Sequence, residues 1–140
     1  MSEEFNLTGG CNCGAVRYAL SAPPLAVAAC HCSNCRKQSG AAYSVNLVVR
    51  ASTMTVEGEL AVFSDHDTES GQPVSRQFCA ACGSPIRSVP AATPKIVAVK
   101  AGTLDDASAY GPQVHIWTKS KLPWVELPAG AVVFEQGPPA

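Results

Sequence analysis

The chain has 140 residues, the length of one domain, and its 46% hydrophobic and 15% charged residues mark a folded protein with a core rather than a disordered one. Ten Lys/Arg against eleven Asp/Glu give a formal charge of −1 with no basic run, which excludes a nucleic-acid footprint. No apolar stretch approaches the length of a membrane span, and the acidic start "MSEEFNLTGG" has no hydrophobic signal region, so a cytoplasmic protein with neither nucleic-acid nor membrane partners is expected.

Along the chain, short alternating or β-branched runs recur. They are "AVRYAL" (15–20), "YSVNLVVR" (43–50), "TMTVEG" (53–58), "ELAVFS" (59–64), "VSRQF" (74–78), "PIRSV" (85–89), "PKIVAVKAG" (94–102), "VHIW" (114–117) and "AVVFE" (131–135). Eleven Gly and eleven Pro punctuate them, the pattern of strands joined by turns. Alternation puts Val16, Tyr18 and Leu20 on one strand face. The fold class this predicts is mainly β, built of short antiparallel strands. One short helix is expected over "SNCRKQSG" (33–40), with Ser33 as N-cap and Gly40 as the residue that ends it. The stretch "SDHDTESGQP" (64–73) reads as a solvated turn with His66 on its surface, and the tail "EQGPPA" as disordered. Nothing divides the chain into two domains.

Seven cysteines are many for such a chain, and an odd number in a reducing compartment points to metal rather than to a disulfide framework. They fall into three clusters: Cys11 and Cys13 in "GGCNCGAVRY", Cys30, Cys32 and Cys35 in "ACHCSNCRKQSG", and Cys79 and Cys82 in "FCAACGSPI". Each outer pair is followed by glycine, which allows the tight turn that aims backbone amides at sulfur. Together the outer pairs supply four thiolates, a tetrahedral set for one structural zinc, with a redox pair as the alternative.

The middle cluster offers three thiolates, and three protein ligands with an open fourth position is the pattern of catalytic zinc. Two zinc ions per chain follow. A second structural zinc would need a fourth ligand, for which His31 and His115 are the candidates, although alternation points His31 away from Cys30 and Cys32. A metal-free reactive thiol cluster is the remaining alternative. Arg36 and Lys37 follow Cys35 directly and can offset the charge of a three-thiolate zinc. His115 and Trp117 read either as ordinary packing or as pocket lining, Trp124 as core, and Glu59, Asp105 and Asp106 as surface carboxylates.

With "AGTLDD" (101–106) and "HIWTKSKLPW" (115–124), these cysteine segments resemble, in order and spacing, the glutathione-dependent formaldehyde-activating enzymes, a family that extends to centromere protein V. The resemblance covers residues 5–127, leaving 128–140 as a C-terminal extension. It implies a β-tent fold stapled by zinc, with Cys11, Cys13, Cys79 and Cys82 on a structural zinc and Cys30, Cys32 and Cys35 on a catalytic one. It also implies carbon–sulfur lyase chemistry, the reversible combination of formaldehyde with glutathione. Glutathione carries two carboxylates, so cationic anchors are expected among Arg36, Lys37, Arg76, Arg87, Lys119 and Lys121, with Arg36 first because of its place after Cys35. Two rivals stand beside this reading. One is a non-enzymatic zinc-stabilised β scaffold that binds a protein partner, and the other is a zinc enzyme of another class, such as a hydrolase or isomerase.

Overall fold

The computed structural model describes residues 5–137, so the first four residues and the last three of the tail lie outside the described residues. In chain order the elements are β1 (Leu7–Gly10), β2 (Arg17–Leu20), β3 (Ala26–Cys30), α1 (Ser33–Ser39), β4 (Ser44–Arg50), β5 (Met54–Glu57), β6 (Leu60–Asp65), β7 (Val74–Cys79), β8 (Pro85–Pro90), β9 (Ile96–Lys100), β10 (Val114–Ile116) and β11 (Val132–Val133). The chain is mainly β with one α-helix, as its strand pattern predicts. Two strands add to those read from the sequence. The short β1, "LTGG", carries a double glycine, and the alanine-rich β3, "AVAAC", lacks a β-branched alternation.

Strands β1, β2 and β5 form a three-stranded antiparallel sheet. The other eight form one sheet in the order β11-β10-β3-β4-β9-β8-β7-β6. The expectation of antiparallel pairing fails at one end of it, where β10 runs parallel to both β3 and β11. Parallel neighbours need a long crossover, and many residues separate each of these strands along the chain.

The core lies between the sheets. Val16, the residue before β2, and Tyr18 and Leu20 of β2 share one buried face, as alternation predicts, and meet Leu47 and Val49 of β4 and Val97 and Val99 of β9. Tyr18 Oη lies 2.7 Å from Thr103 Oγ1, which satisfies the buried phenol. Gly9 pairs with Tyr18, and a Cβ there would collide with the Tyr18 hydroxyl and the Thr103 carbonyl. Leu47 is fully buried at the centre of the large sheet. Leu47→Ala is expected to cost about 2–5 kcal/mol, read as a lower urea midpoint. An unchanged midpoint would remove Leu47 from the core.

Alternation gives the large sheet a second, chemically different face. Ala98 and Lys100 of β9 point opposite to Val97 and Val99, and Lys100 sits across from Asn46 of β4. On β8 a bulge at Ile86, which is left over between the Pro85–Phe78 and Arg87–Gln77 pairs, changes the phase. Ile86 therefore enters the core while Ser88 stands on the outer face, paired with Ala98 and Arg76. Asn46, Lys100, Ser88 and Arg76 thus form a polar row across four strands.

Candidate metal centres and the cavity beside them

Two cysteine groups come together in space, with the sulfurs of each within 4.8 Å of one another. The first joins Cys11 and Cys13, between β1 and β2, to Cys79 and Cys82 at the end of β7. The sulfurs of Cys11 and Cys13 are 3.5 Å apart, and those of Cys13 and Cys79 are 3.8 Å apart. Four sulfurs at about 2.3 Å from a tetrahedral zinc would be about 3.8 Å from each other, so the spacing fits that ion. Gly14 and Gly83 take positive φ, 82° and 81°. The turns they close aim amides at sulfur: Val16 N–H at Cys11 (3.2 Å), and Ala81 and Cys82 N–H at Cys79 (3.3 and 3.4 Å). The Val16 amide holds the Cys11 thiol below its ordinary range, and the Ser84 hydroxyl chiefly draws Cys82 down to about 5. Although the Ala15 amide draws it down, Cys13 is pushed the other way, to about 11, by its hydrogen bonds with Cys11 and Cys82, so the environment favours the thiolate at Cys11 and Cys82.

The second group is Cys30, Cys32 and Cys35, all buried. Cys30 ends β3. Cys32 is the N-cap of α1, its Sγ accepting the Cys35 N–H at 3.2 Å, so the cap is Cys32 and not the expected Ser33. The helix otherwise runs as predicted and ends on Gly40 at φ 70°. Cys35 falls in the first turn, where free backbone N–H groups favour a thiolate. The thiols of Cys30 and Cys32, with Arg76 and Lys100 behind them, hold Cys35 far below the ordinary thiol range. Cys30 is pushed the opposite way, first by its hydrogen bond with Cys32.

Arg76 is buried in the polar row. It donates through Nε to Asp65 Oδ2 at 3.2 Å and through Nη1 to Cys35 Sγ at 3.6 Å and Ser88 Oγ at 3.5 Å. Lys100, also buried, donates to Ser44 Oγ at 2.8 Å, and Ser44 Oγ donates to Asn46 Oδ1 at 3.1 Å. Burial lowers the Lys100 ammonium below its ordinary value. Arg76, Lys100 and Asp65 together leave one positive charge in the wall, and a divalent cation held by three thiolates is singly negative. The balance is what two buried cations require, because a buried charge without a partner is costly.

The group opens into a cavity of about 340 Å³. The polar row floors it, and Val74, Pro90, Ala98, Ile116 and Trp117 give it apolar walls. The loop 64–73, expected to be merely solvated, supplies another wall through Thr68, Glu69, Ser70 and Gln72. Asp65, at the end of β6, is the buried partner of Arg76, and His66 stays exposed. Of the six cations singled out from sequence, only Arg76 lines the cavity. Arg36 and Lys37 lie in the last turn of α1, away from the lining. Arg87 bonds to Gln77 Oε1, Lys119 lies over the Trp117 ring and Lys121 bonds to the carbonyls of Leu122 and Val125. Lys100 was missed. Its signal was its phase: it shares a strand face with Ala98, opposite the core residues Val97 and Val99.

His31 and His115 join neither sulfur group. They pair with each other, Nε2 to Nδ1 at 3.0 Å, both buried, and burial first, then His115 and Lys121, draws His31 down to about 4. Trp117 lines the cavity but His115 does not, so only one of that pair reaches it. Trp117 adopts the left-handed conformation, φ 58°, and its N–H donates to the Gln136 carbonyl at 3.0 Å. Gln136 belongs to the tail that reads as disordered from its sequence. Trp124 is 71% exposed and is not core. Asp105 stays at the surface, where hydrogen bonds from Arg17 draw its carboxyl to about 2.

The profile of the family described as "Glutathione-dependent formaldehyde-activating enzyme" matches residues 6–120, a span that contains all seven cysteines, Arg76 and Lys100. The chain belongs to this family. A Halomonas elongata protein, whose name assigns it provisionally to the glutathione-dependent formaldehyde-activating enzymes, is 32% identical over 126 residues, covering 86% of this chain and 80% of the relative. A crystal structure of a Rhodobacter sphaeroides protein superposes with a TM-score of 0.56 at 23% identity, over 70% of this chain and 87% of that one. At that identity the likeness speaks for a shared fold alone. Within the family frame, the clustered sulfurs and the cavity beside the buried triplet are the features that chemistry can use. No helix among the described residues is long and apolar enough to cross a membrane.

Proposed function

We propose that the chain is a zinc-dependent carbon–sulfur lyase that makes and breaks a thiol–aldehyde adduct, with formaldehyde and a thiol such as glutathione as reactants. The observation that carries this reading is the convergence of Cys30, Cys32 and Cys35 on a cavity floored by buried Arg76 and Lys100. Family membership and the name of the Halomonas relative support the choice of reactants. In this reading Cys11, Cys13, Cys79 and Cys82 hold a structural zinc, and Cys30, Cys32 and Cys35 hold a second. Zinc on three thiolates supplies a Lewis acid that lowers the pKa of a substrate thiol.

The chain's own residues do the rest. Lys100 Nζ and the Arg76 guanidinium are fixed donors at the floor, placed to stabilise negative charge on the aldehyde oxygen. As the thiol sulfur bonds to the aldehyde carbon, the carbonyl π pair moves to that oxygen. The oxygen then takes up the proton the thiol has lost, and the reverse sequence releases formaldehyde. The unbridged cysteines suit a reducing, cytoplasmic setting.

Protein purified without chelator is expected to carry two zinc ions per chain. It is also expected to accelerate magnetisation exchange between formaldehyde and its glutathione adduct. Two-zinc protein that leaves exchange at the protein-free rate would overturn the lyase reading. That outcome would favour the scaffold reading, whose supporting observation is exposed Val62 and Phe63 on the edge strand β6.

A further inference from the structure

We propose that Glu69 determines which thiol enters the cavity, by taking up a cationic group, an ammonium, at its mouth. The proposal rests on the lyase reading of the same cavity and names the group it recognises on the thiol, an ammonium.

Among the described residues, three charged side chains line the cavity: Arg76, Lys100 and Glu69. The two cations lie at the floor, where Arg76 bonds to Asp65, Cys35 and Ser88, and Lys100 bonds to Ser44. Glu69 is exposed at the rim and belongs to neither described ion pair, which are Arg17–Asp105 and Arg76–Asp65. Its carboxylate is nonetheless held. Ser120 Oγ donates to Oε1 at 2.7 Å and lies 2.9 Å from Oε2, and Ser33 Oγ donates to Oε1 at 3.2 Å. Its backbone N–H donates to Asn34 Oδ1 at 3.2 Å. Four contacts from α1 and the turn at Thr118–Ser120 thus fix an anion that no cation pairs among the described residues.

A carboxylate can accept about four hydrogen bonds, so Glu69 keeps capacity toward the cavity. Because it is already ordered, a ligand that binds it avoids the entropic cost of arranging it. Ser33 directly follows Cys32, so the anion is tied one residue from the sulfur group. A molecule whose sulfur sits at Cys30, Cys32 and Cys35 therefore directs its other end along apolar walls toward Glu69. Lys119, the neighbouring exposed cation, is stacked over Trp117 and does not line the cavity. A thiol ending in a carboxylate alone meets repulsion here, whereas one ending in an ammonium meets a partner. In glutathione that ammonium is the γ-glutamyl one, with its neighbouring carboxylate turned away from Glu69.

The test uses three thiols of similar size with formaldehyde: thiocholine (cationic), 2-mercaptoethanol (neutral) and 3-mercaptopropionate (anionic). Thiocholine is chosen because its quaternary nitrogen cannot cyclise with the aldehyde. Exchange rates are measured for wild type, Glu69→Gln and Glu69→Lys, which cancels the intrinsic reactivity of each thiol. Wild type is expected to favour the cationic over the anionic thiol by roughly tenfold relative to Glu69→Gln, carried in KM, as for a partly screened ion pair. Glu69→Lys is expected to reverse the preference.

Calorimetry of each thiol without aldehyde reads the same selection independently of turnover. Acceleration of all three thiols with one ratio in wild type and Glu69→Gln would overturn the role of Glu69 and leave the lyase reading standing. Acceleration of none would overturn the lyase reading. In that case equal calorimetric affinities for cationic and anionic thiols would overturn the Glu69 proposal too, and a cation preference lost in Glu69→Gln would uphold it.

Discussion

Cys32→Ser is expected to bring formaldehyde exchange down to the protein-free rate while the protein remains folded. Cys32 has two jobs that this substitution separates. Its sulfur belongs to the buried triplet, and the same atom caps α1 by accepting the Cys35 N–H. Serine is among the best N-cap residues, so the helix start survives. A serine hydroxyl does not replace a thiolate on zinc, so the triplet becomes a two-sulfur site. Losing a direct ligand should exceed the ~10–100-fold loss in metal affinity that follows from removing an outer hydrogen-bond partner. Zinc content should fall from two ions per chain to one, because Cys11, Cys13, Cys79 and Cys82 are untouched. Cys32→Ala should lose the same metal and, in addition, about 1 kcal/mol of stability through the missing cap. Metal analysis, urea unfolding and exchange on the two variants check this. Undiminished exchange by either variant would remove the triplet from the chemistry.

Arg76→Ala is expected to be the most damaging single change to stability outside the core, at about 3–5 kcal/mol. The Arg76 side chain is 4% exposed and that of Asp65 is 10% exposed, so the pair sits away from water. Removing the arginine strands the Asp65 carboxylate and deprives Cys35 and Ser88 of a donor. Most of the cost is that of an unpaired buried charge, not the worth of the pair. The double variant Arg76→Ala with Asp65→Asn should therefore regain much of the stability but none of the activity. Arg76→Lys keeps the charge and loses the planar fork that reaches three partners, so an intermediate result is expected. Thermal unfolding of the three variants measures it. A single variant no less stable than wild type would show that Asp65 finds another partner and that the pair is not structural.

Residues adjacent in the chain were readable as chemistry, and residues adjacent only in space were not. The cysteine groups declare themselves because metal ligands at C-x-C and C-x2-C spacing are locally constrained. Val16, Tyr18 and Leu20 declare themselves because alternation sorts a strand's two faces. Arg36 and Arg76 show the contrast. Arg36 follows Cys35, but the helix turns it off the cavity lining. Arg76 is far along the chain, and strand register delivers it to 3.6 Å from the Cys35 sulfur. Lys100 reaches the site the same way, across from Asn46. The loop 64–73 is polar and reads as solvent-facing, yet Ser33 and Ser120 pin Glu69 beside the cavity.

By itself, then, the sequence determined that this is a mainly β domain with two thiol groups of four and three members. It also determined that a short helix starts at the second group, whereas His31 stayed a candidate ligand until the structure paired it with His115. The reasons are local: backbone alternation, capping chemistry and the short reach between cysteines one or two residues apart. Tertiary structure alone decided which cations stand beside the triplet, which loop walls the cavity and which carboxylate faces it. Those depend on the order and register of eight strands and on one bulge at Ile86. A shift of one residue in register would exchange the polar row for the core face. That choice is set by the sum of contacts across the sheet, so no short stretch of the chain records it.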